Sequence, residues 1–459
     1  GLHPARGRIY LPTAAYDEMT EWALPAAGAA RLPAIKHELE EQGKTDLLPF
    51  LQGGFWRHFL VKYPEINTLH KAMLRVSRKV WRMRSGPRRD AALDHVWQAQ
   101  CNCPYWHGVF GGIYLGHIRS ANYTHLIEAE RIADAGRHPR RWVEAESRDL
   151  DADGRREILV SSDAQVILID PDDGGAVVSW DAREAGVNLV NVMTRRPEGY
   201  HETLRAAVAR GEVVLARTED LETIHTSRVR VKEWGLEKHL ATDWYRRSSF
   251  IEHFLRSGAT PAGVTRGEVQ EHGDFIGQPF QSTIERGPAE VVVRLSREGR
   301  VPSDGADASV RVEKALTAPA GGAALDVAYR ITNVGAAPVA ADFAVETNWG
   351  TTGPDATVVS AGAQHPVGKA AKVDSTEAFS IDDPRWGLDV AVTVPSCALW
   401  IVPIEVVSAS EAGFERSFQG ASLWCLWPLR LEPGGVWEGR LSCALHMAPH
   451  NGTDQTGRS

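Results

Sequence analysis

The chain has 459 residues, of which 43% are hydrophobic and 24% charged, and 51 Lys and Arg stand against 59 Asp and Glu for a formal charge of −8. That length is too great for one ordinary compact core and predicts two or three domains, while the composition excludes a disordered chain. The charge balance gives no reason to expect nucleic acid, and without a run of about 20 apolar residues no membrane-spanning helix is expected.

The first third reads as helical. Asp17 to Leu24 can form a short helix stopped by Pro25, and Leu32 to Glu41 carries apolar residues at roughly helical spacing before Gly43. After Tyr63-Pro64, Ile66, Leu69, Met73, Val76 and Val80 recur at three- and four-residue intervals, and Gly86-Pro87 breaks the pattern. Further helices are predicted from Arg89 to Gln98 and from Ile113 to Ala133. The pattern changes near Ala135. Runs such as 157–160, 164–169, 176–180, 291–295, 324–331 and 388–394 read as strands between Gly, Asp and Pro turns, with Thr242 to Leu255 as the one convincing interruption. The fold class is therefore α+β multidomain, a helical region followed by a large antiparallel β-sandwich. The expected divisions are a transition segment over 1–25, a helical domain over 26–134, a sandwich over 140–450 and a polar tail over 451–459.

Two segments carry chemistry. In 98–114, Gln100, Asn102, Tyr105, Trp106 and His107 combine planar polar groups with rings, and Gly108, Gly111 and Gly112 allow close approach. Rings form an apolar platform for a sugar while amides and imidazole orient hydroxyls; the plainer reading is an aromatic hinge with His107 satisfied in a core. The chain's 15 Trp, more than its 12 Phe or 9 Tyr, fit either reading. In 53–65, Lys62, Tyr63 and Glu65 could bind sugar hydroxyls or form a surface ion pair. Asp172-Asp173 and Asp382-Asp383 read as turn formers or calcium ligands. The basic run from Arg75 to Arg89 reads as a solvated helix face. His70, His95, His117 and His125 form no metal signature, no phosphate loop is present, and no cofactor is expected. Five cysteines without a framework point to a reducing compartment, the cytoplasm.

Residues 98–119, QAQCNCPYWHGVFGGIYLGHIR, resemble a region of glycoside hydrolase family 57, in its α-amylase and 4-α-glucanotransferase branch. So do 7–25 (GRIYLPTAAYDEMTEWALP), 53–74, 188–201 (NLVNVMTRRPEGYH) and 410–420 (SEAGFERSFQG), in order along the chain. The resemblance implies an incomplete (β/α)7 barrel at the amino end, a helical middle and a carboxyl-terminal sandwich. It also implies α-1,4-glucan or maltooligosaccharide as substrate, with retention through a glutamate nucleophile and an aspartate acid/base. Neither carboxylate is placed in this sequence, so most of the barrel is expected to lie upstream and no catalytic residue is assigned. Cys103 stands where relatives carry an acidic residue, so a polar contact there is not carried over. The leading expectation is the non-catalytic carboxyl-terminal portion of a glucan-active enzyme. Its rivals are a stand-alone carbohydrate-binding or structural protein, and a catalyst with acids relocated to Glu18, Glu21 or Glu65.

Overall fold

The computed structural model describes residues 17–138, 141–216, 229–303 and 306–447. The opening 16 residues of the expected transition segment and the 451–459 tail lie outside them.

Six helices form the first layer: α1 (Asp17–Trp22), α2 (Ala26–Glu41), α3 (Trp56–Lys62), α4 (Pro64–Trp81), α5 (Pro87–Gln98) and α6 (Gly116–Asp134). Helix α4 follows its sequence pattern. Pro64 occupies the first turn, where its missing N–H costs nothing, and Ile66, Leu69, Met73, Val76 and Val80 are all buried. They pack with Leu93 and Val96 of α5 and Leu126 and Ile127 of α6 in one core. Helix α3 lies within the 53–65 segment, ahead of the helix expected after Tyr63-Pro64. Helix α2 starts upstream of the expected Leu32, with Pro33 inside it.

Beyond the helices, β1 (Val143–Arg148), β2 (Glu157–Ser162), β3 (Gln165–Asp170), β4 (Ala176–Ala182) and β5 (Val187–Asn188) make a five-stranded antiparallel sheet in sequence order. A fourteen-stranded sheet holds the remaining strands and is antiparallel except where the short strand Val229–Val231 joins Val213–Leu215 and Phe414. Its spine is Leu388–Ser410. Residues 388–393 of that strand pair with 442–447, whereas 398–410 pair with 413–426. The sheet folds over into two layers: Phe343, in a strand paired to 421–431, packs its ring 6.1 Å from Tyr329 and 5.2 Å from Trp437 on strands it does not bond. Alternate residues of Ala324–Asn333 fill this interior, as period-two patterning demands.

Among the described residues two α-helices interrupt the sandwich, α7 (Gly199–Arg210) and α8 (Pro261–Arg266). The segment 242–255 is not the interruption the sequence implied, since Ile251–Leu255 is a fully buried strand bonded to 342–346. No closed barrel occurs among the described residues, and none of their helices is long and apolar enough to cross a membrane.

Candidate functional site: a buried glutamate where helices meet sandwich

Segment 188–201 leaves β5 and crosses under the helical layer. Its last turn presents Glu198 at the start of α7, with the side chain almost fully buried. One carboxylate oxygen accepts from the Tyr63 hydroxyl at 2.6 Å and the Tyr114 hydroxyl at 2.7 Å. The other accepts from Lys62 Nζ at 2.7 Å, and the same ammonium donates to the Trp22 carbonyl at 3.0 Å. Burial alone would raise the carboxyl pKa, but the Lys62 charge and these hydrogen bonds outweigh it and hold Glu198 below its ordinary value. Glu198 is thus an anion with both oxygens engaged.

Rings enclose this anion. His107, wholly buried, has Nε2 2.9 Å from the Tyr200 hydroxyl and packs edge-on against Trp22 at 4.7 Å and Tyr114 at 4.9 Å. Desolvation lowers its pKa to about 4, so the imidazole is neutral at pH 7. His201, one turn into α7, accepts the Glu198 backbone N–H at Nδ1 and lies 2.9 Å from the Val407 carbonyl through Nε2. Glu65 forms a second anchor, accepting from the Thr194 amide at 3.1 Å and pairing with Arg196 at 3.0 Å. It too is held below its ordinary value, because Arg196 and Arg246 outweigh desolvation.

The structure brings Lys62, Tyr63, Glu65 and His107 to one junction, but Lys62 and Glu65 are partnered by Glu198 and Arg196 rather than by each other. Tyr105 and Trp106 are buried in the helical core. Tyr105 donates to the Ala99 carbonyl at 2.7 Å, and the Trp106 ring packs 4.6 Å from Phe110 and 6.1 Å from Phe59. Gln100 and Asn102 are exposed, Gln100 touching only the Met73 sulfur at 3.7 Å and Asn102 accepting from the Cys103 thiol at 3.7 Å. Gly112 has φ +49°, and a Cβ there would stand 2.2 Å from the Trp106 carbonyl oxygen, so glycine sets the path of this loop.

Sequence reasoning missed Glu198, Tyr114 and Tyr200. Each lies in a segment with a family resemblance, yet Glu198 meets its partners across separations of 84 to 136 residues that no local pattern reveals. A second buried network was also missed. Asp243 pairs with Arg195 and, at 2.6 Å, with Arg247; Arg247 joins Glu346; and His253 bridges Glu346 and Glu271 at 2.9 Å on each side. Burial opposes the charge on His253, but the two carboxylates raise its pKa to about 9. The Asp172-Asp173 turn is built by Asp170 accepting both amides, and Asp383 accepts the amides of Thr352 and Arg385. The three acids considered for relocated catalysis are all engaged: Glu18 accepts the Val109 amide, Glu21 pairs with Lys36 at 2.9 Å, and Glu65 is held as above.

Residues 149–441 match the family model described as alpha-amylase/4-alpha-glucanotransferase, C-terminal, and residues 54–133 match the middle domain of the same family. The chain belongs to the α-amylase/4-α-glucanotransferase family of glycoside hydrolase family 57. Among relatives of this family, the 4-alpha-glucanotransferase of Thermococcus litoralis is 34% identical over 432 residues, covering 93% of this chain and 59% of that protein. Alpha-amylase 1 of Dictyoglomus thermophilum is 32% identical over 439 residues, covering 94% of this chain and 60% of that protein. The crystal structure of the Thermococcus litoralis 4-alpha-glucanotransferase superposes with a TM-score of 0.75 at 30% identity, over 96% of this chain and 59% of that one. The family chain described here therefore spans about three fifths of the length of these relatives.

Proposed function

We propose that this chain is the middle and carboxyl-terminal part of a retaining enzyme acting on α-1,4-glucan or maltooligosaccharide, an α-amylase or 4-α-glucanotransferase, working in the cytoplasm. On this reading the catalytic glutamate and aspartate belong to a barrel outside the chain, and the chain supports and positions that centre. One observation carries it: the family match runs through 54–133 and 149–441 while the chain spans about three fifths of its relatives, and the buried carboxylate at its junction, Glu198, is ionised with both oxygens engaged by Lys62, Tyr63 and Tyr114. A general acid must carry a proton near neutral pH, and a nucleophile needs a free oxygen facing substrate; Glu198 offers neither. What it does supply is rigidity. It ties Tyr63 of the α3–α4 junction to Tyr114 at the end of the 105–114 loop, while Gln100 and Asn102, exposed just before that loop, remain available to meet glucan.

Retention requires two carboxyl groups about 5–5.5 Å apart flanking the bond. The engagement of Glu18, Glu21 and Glu65 by an amide and two cations argues against any of them serving there. A stand-alone carbohydrate-binding role draws on Trp234 and Trp244, both exposed on the sandwich. The purified chain should neither cleave nor transfer maltoheptaose, as followed by chromatography of the products. Turnover abolished by Glu65→Gln or Glu21→Gln would defeat the proposal. Glucan binding by a gene product that begins at this chain would favour the stand-alone role.

A further inference from the structure

The basic run from Arg75 to Arg89 has no part in the reading above. In the structure it lines one wall of an open cleft of about 1180 Å³ between α4, the α4–α5 connection and strands β1 and β2. Charge is balanced at the base of this cleft. Glu130 is held by Arg75 and by Lys79 at 2.8 Å, and Asp134 by Lys79 at 2.6 Å and Arg183 at 2.7 Å. Nearer the mouth the balance fails. Arg78, Arg82, Arg84 and Arg148 are exposed, line the same space and have no carboxylate partner among the described residues. Among the described residues, eight cationic side chains line the cleft against four carboxylates, an excess of four in a chain whose formal charge is −8.

A solvated helix face would be convex, with each charge turned to bulk water. Here the unpaired guanidinium groups share a concavity, which focuses their field and raises the local concentration of anions. Arg78 in the last turn of α4 and Arg82, the residue that caps it in helical conformation, are about one turn apart, so both project from the same stripe. Planar guanidinium forks match phosphate oxygens two at a time. The opposing wall limits what can enter: Glu144, Glu146 and Asp149 rim the β1 side and would repel a long polyanion running out of the cleft. The space suits a small ligand at the junction of two layers.

We propose that this cleft binds a small phosphorylated molecule carrying at least two phosphate negative charges, held mainly by Arg78, Arg82 and Arg84. The site is separate from the Glu198 junction, and its test does not depend on glucan activity.

Calorimetric titration of the 459-residue chain with inorganic pyrophosphate at low ionic strength should give saturable one-site binding. Affinity should fall by about tenfold or more in an Arg78→Gln, Arg82→Gln double variant and stay unchanged in Arg266→Gln, an exposed arginine of α8. Glucose 1-phosphate should compete and glucose should not. Circular dichroism of the double variant should match the parent, since neither arginine side chain has a hydrogen-bond or ion-pair partner among the described residues. No saturable binding, equal affinity in the double variant, or tighter arginine-dependent binding of duplex DNA than of pyrophosphate would each overturn the proposal.

Discussion

Substituting Glu198→Gln keeps the shape of the side chain and removes its charge. Gln can still accept from one of the tyrosines, but its amide nitrogen then faces Lys62 Nζ, which sits 2.7 Å from the present carboxylate and has a side chain only 11% exposed. Removing one partner of a buried pair typically costs about 3–5 kcal/mol, because the other charge is left uncompensated. Lys62 retains the Trp22 carbonyl, which softens the loss, so the expected destabilisation is about 3 kcal/mol. Urea unfolding followed by circular dichroism and tryptophan fluorescence provides the measurement. Lys62→Met in the Glu198→Gln background should recover a large part of the loss, since it removes the stranded cation. The acid limb gives an independent check. Glu198 ionises below its ordinary value near 4.5, so its contribution is fully present above that value and is lost as pH falls through the folded pKa. The Gln variant should therefore show a shallower loss of stability below pH 4.5 than the parent. A cost under about 0.5 kcal/mol, or additive effects of the two substitutions, would refute the account of Glu198 as the buried hub.

Other residues make equally definite tests. Trp106→Ala should cost about 3–5 kcal/mol in unfolding experiments, as for a buried aromatic, and a near-native stability with impaired glucan affinity in the complete enzyme would instead mark a sugar platform. His253, raised to about 9, should stabilise the fold fully below its unfolded value near 6.5 and lose that contribution as pH rises through about 9. Imidazole NMR should find it protonated at pH 7.5, and His253→Gln should flatten the alkaline limb. Gly112→Ala places a Cβ against the Trp106 carbonyl at positive φ and should lower stability by about 1–3 kcal/mol, seen as a lower melting temperature.

The sequence made the helical layer legible wherever one face had to be apolar. The five spaced residues of α4 are all buried because a helix on a core has no other way to satisfy that period. Strands such as 165–170 and 388–394 were legible for the matching reason in sheets. The 242–255 segment misled because its charged residues look like a solvated surface. Asp243 and Arg247 are in fact buried with Arg195 and Glu346, partners 48 and 99 residues away. The candidate site was half visible. The mixed polar and aromatic character of Lys62, Tyr63 and His107 stood out, but the carboxylate that gathers them is an ordinary glutamate until the chain folds.

The partner switching of strand 388–410 also sets an order of assembly. Strand 324–332 gains its second neighbour only when 436–444 arrives, and the 388–393 part of the spine needs 442–447. The junction between helices and sandwich draws on the preceding strands instead, since the Tyr114 carbonyl receives Gln419 at 2.9 Å and His201 meets the Val407 carbonyl. Until 436–447 is in place the edges of 324–332 and 388–393 stay open, a high-contact-order route that favours slow folding and exposure to aggregation. Removal of residues 436–447 should therefore unpair 324–332 and 388–393 together and open the middle of the large sheet rather than trim one edge.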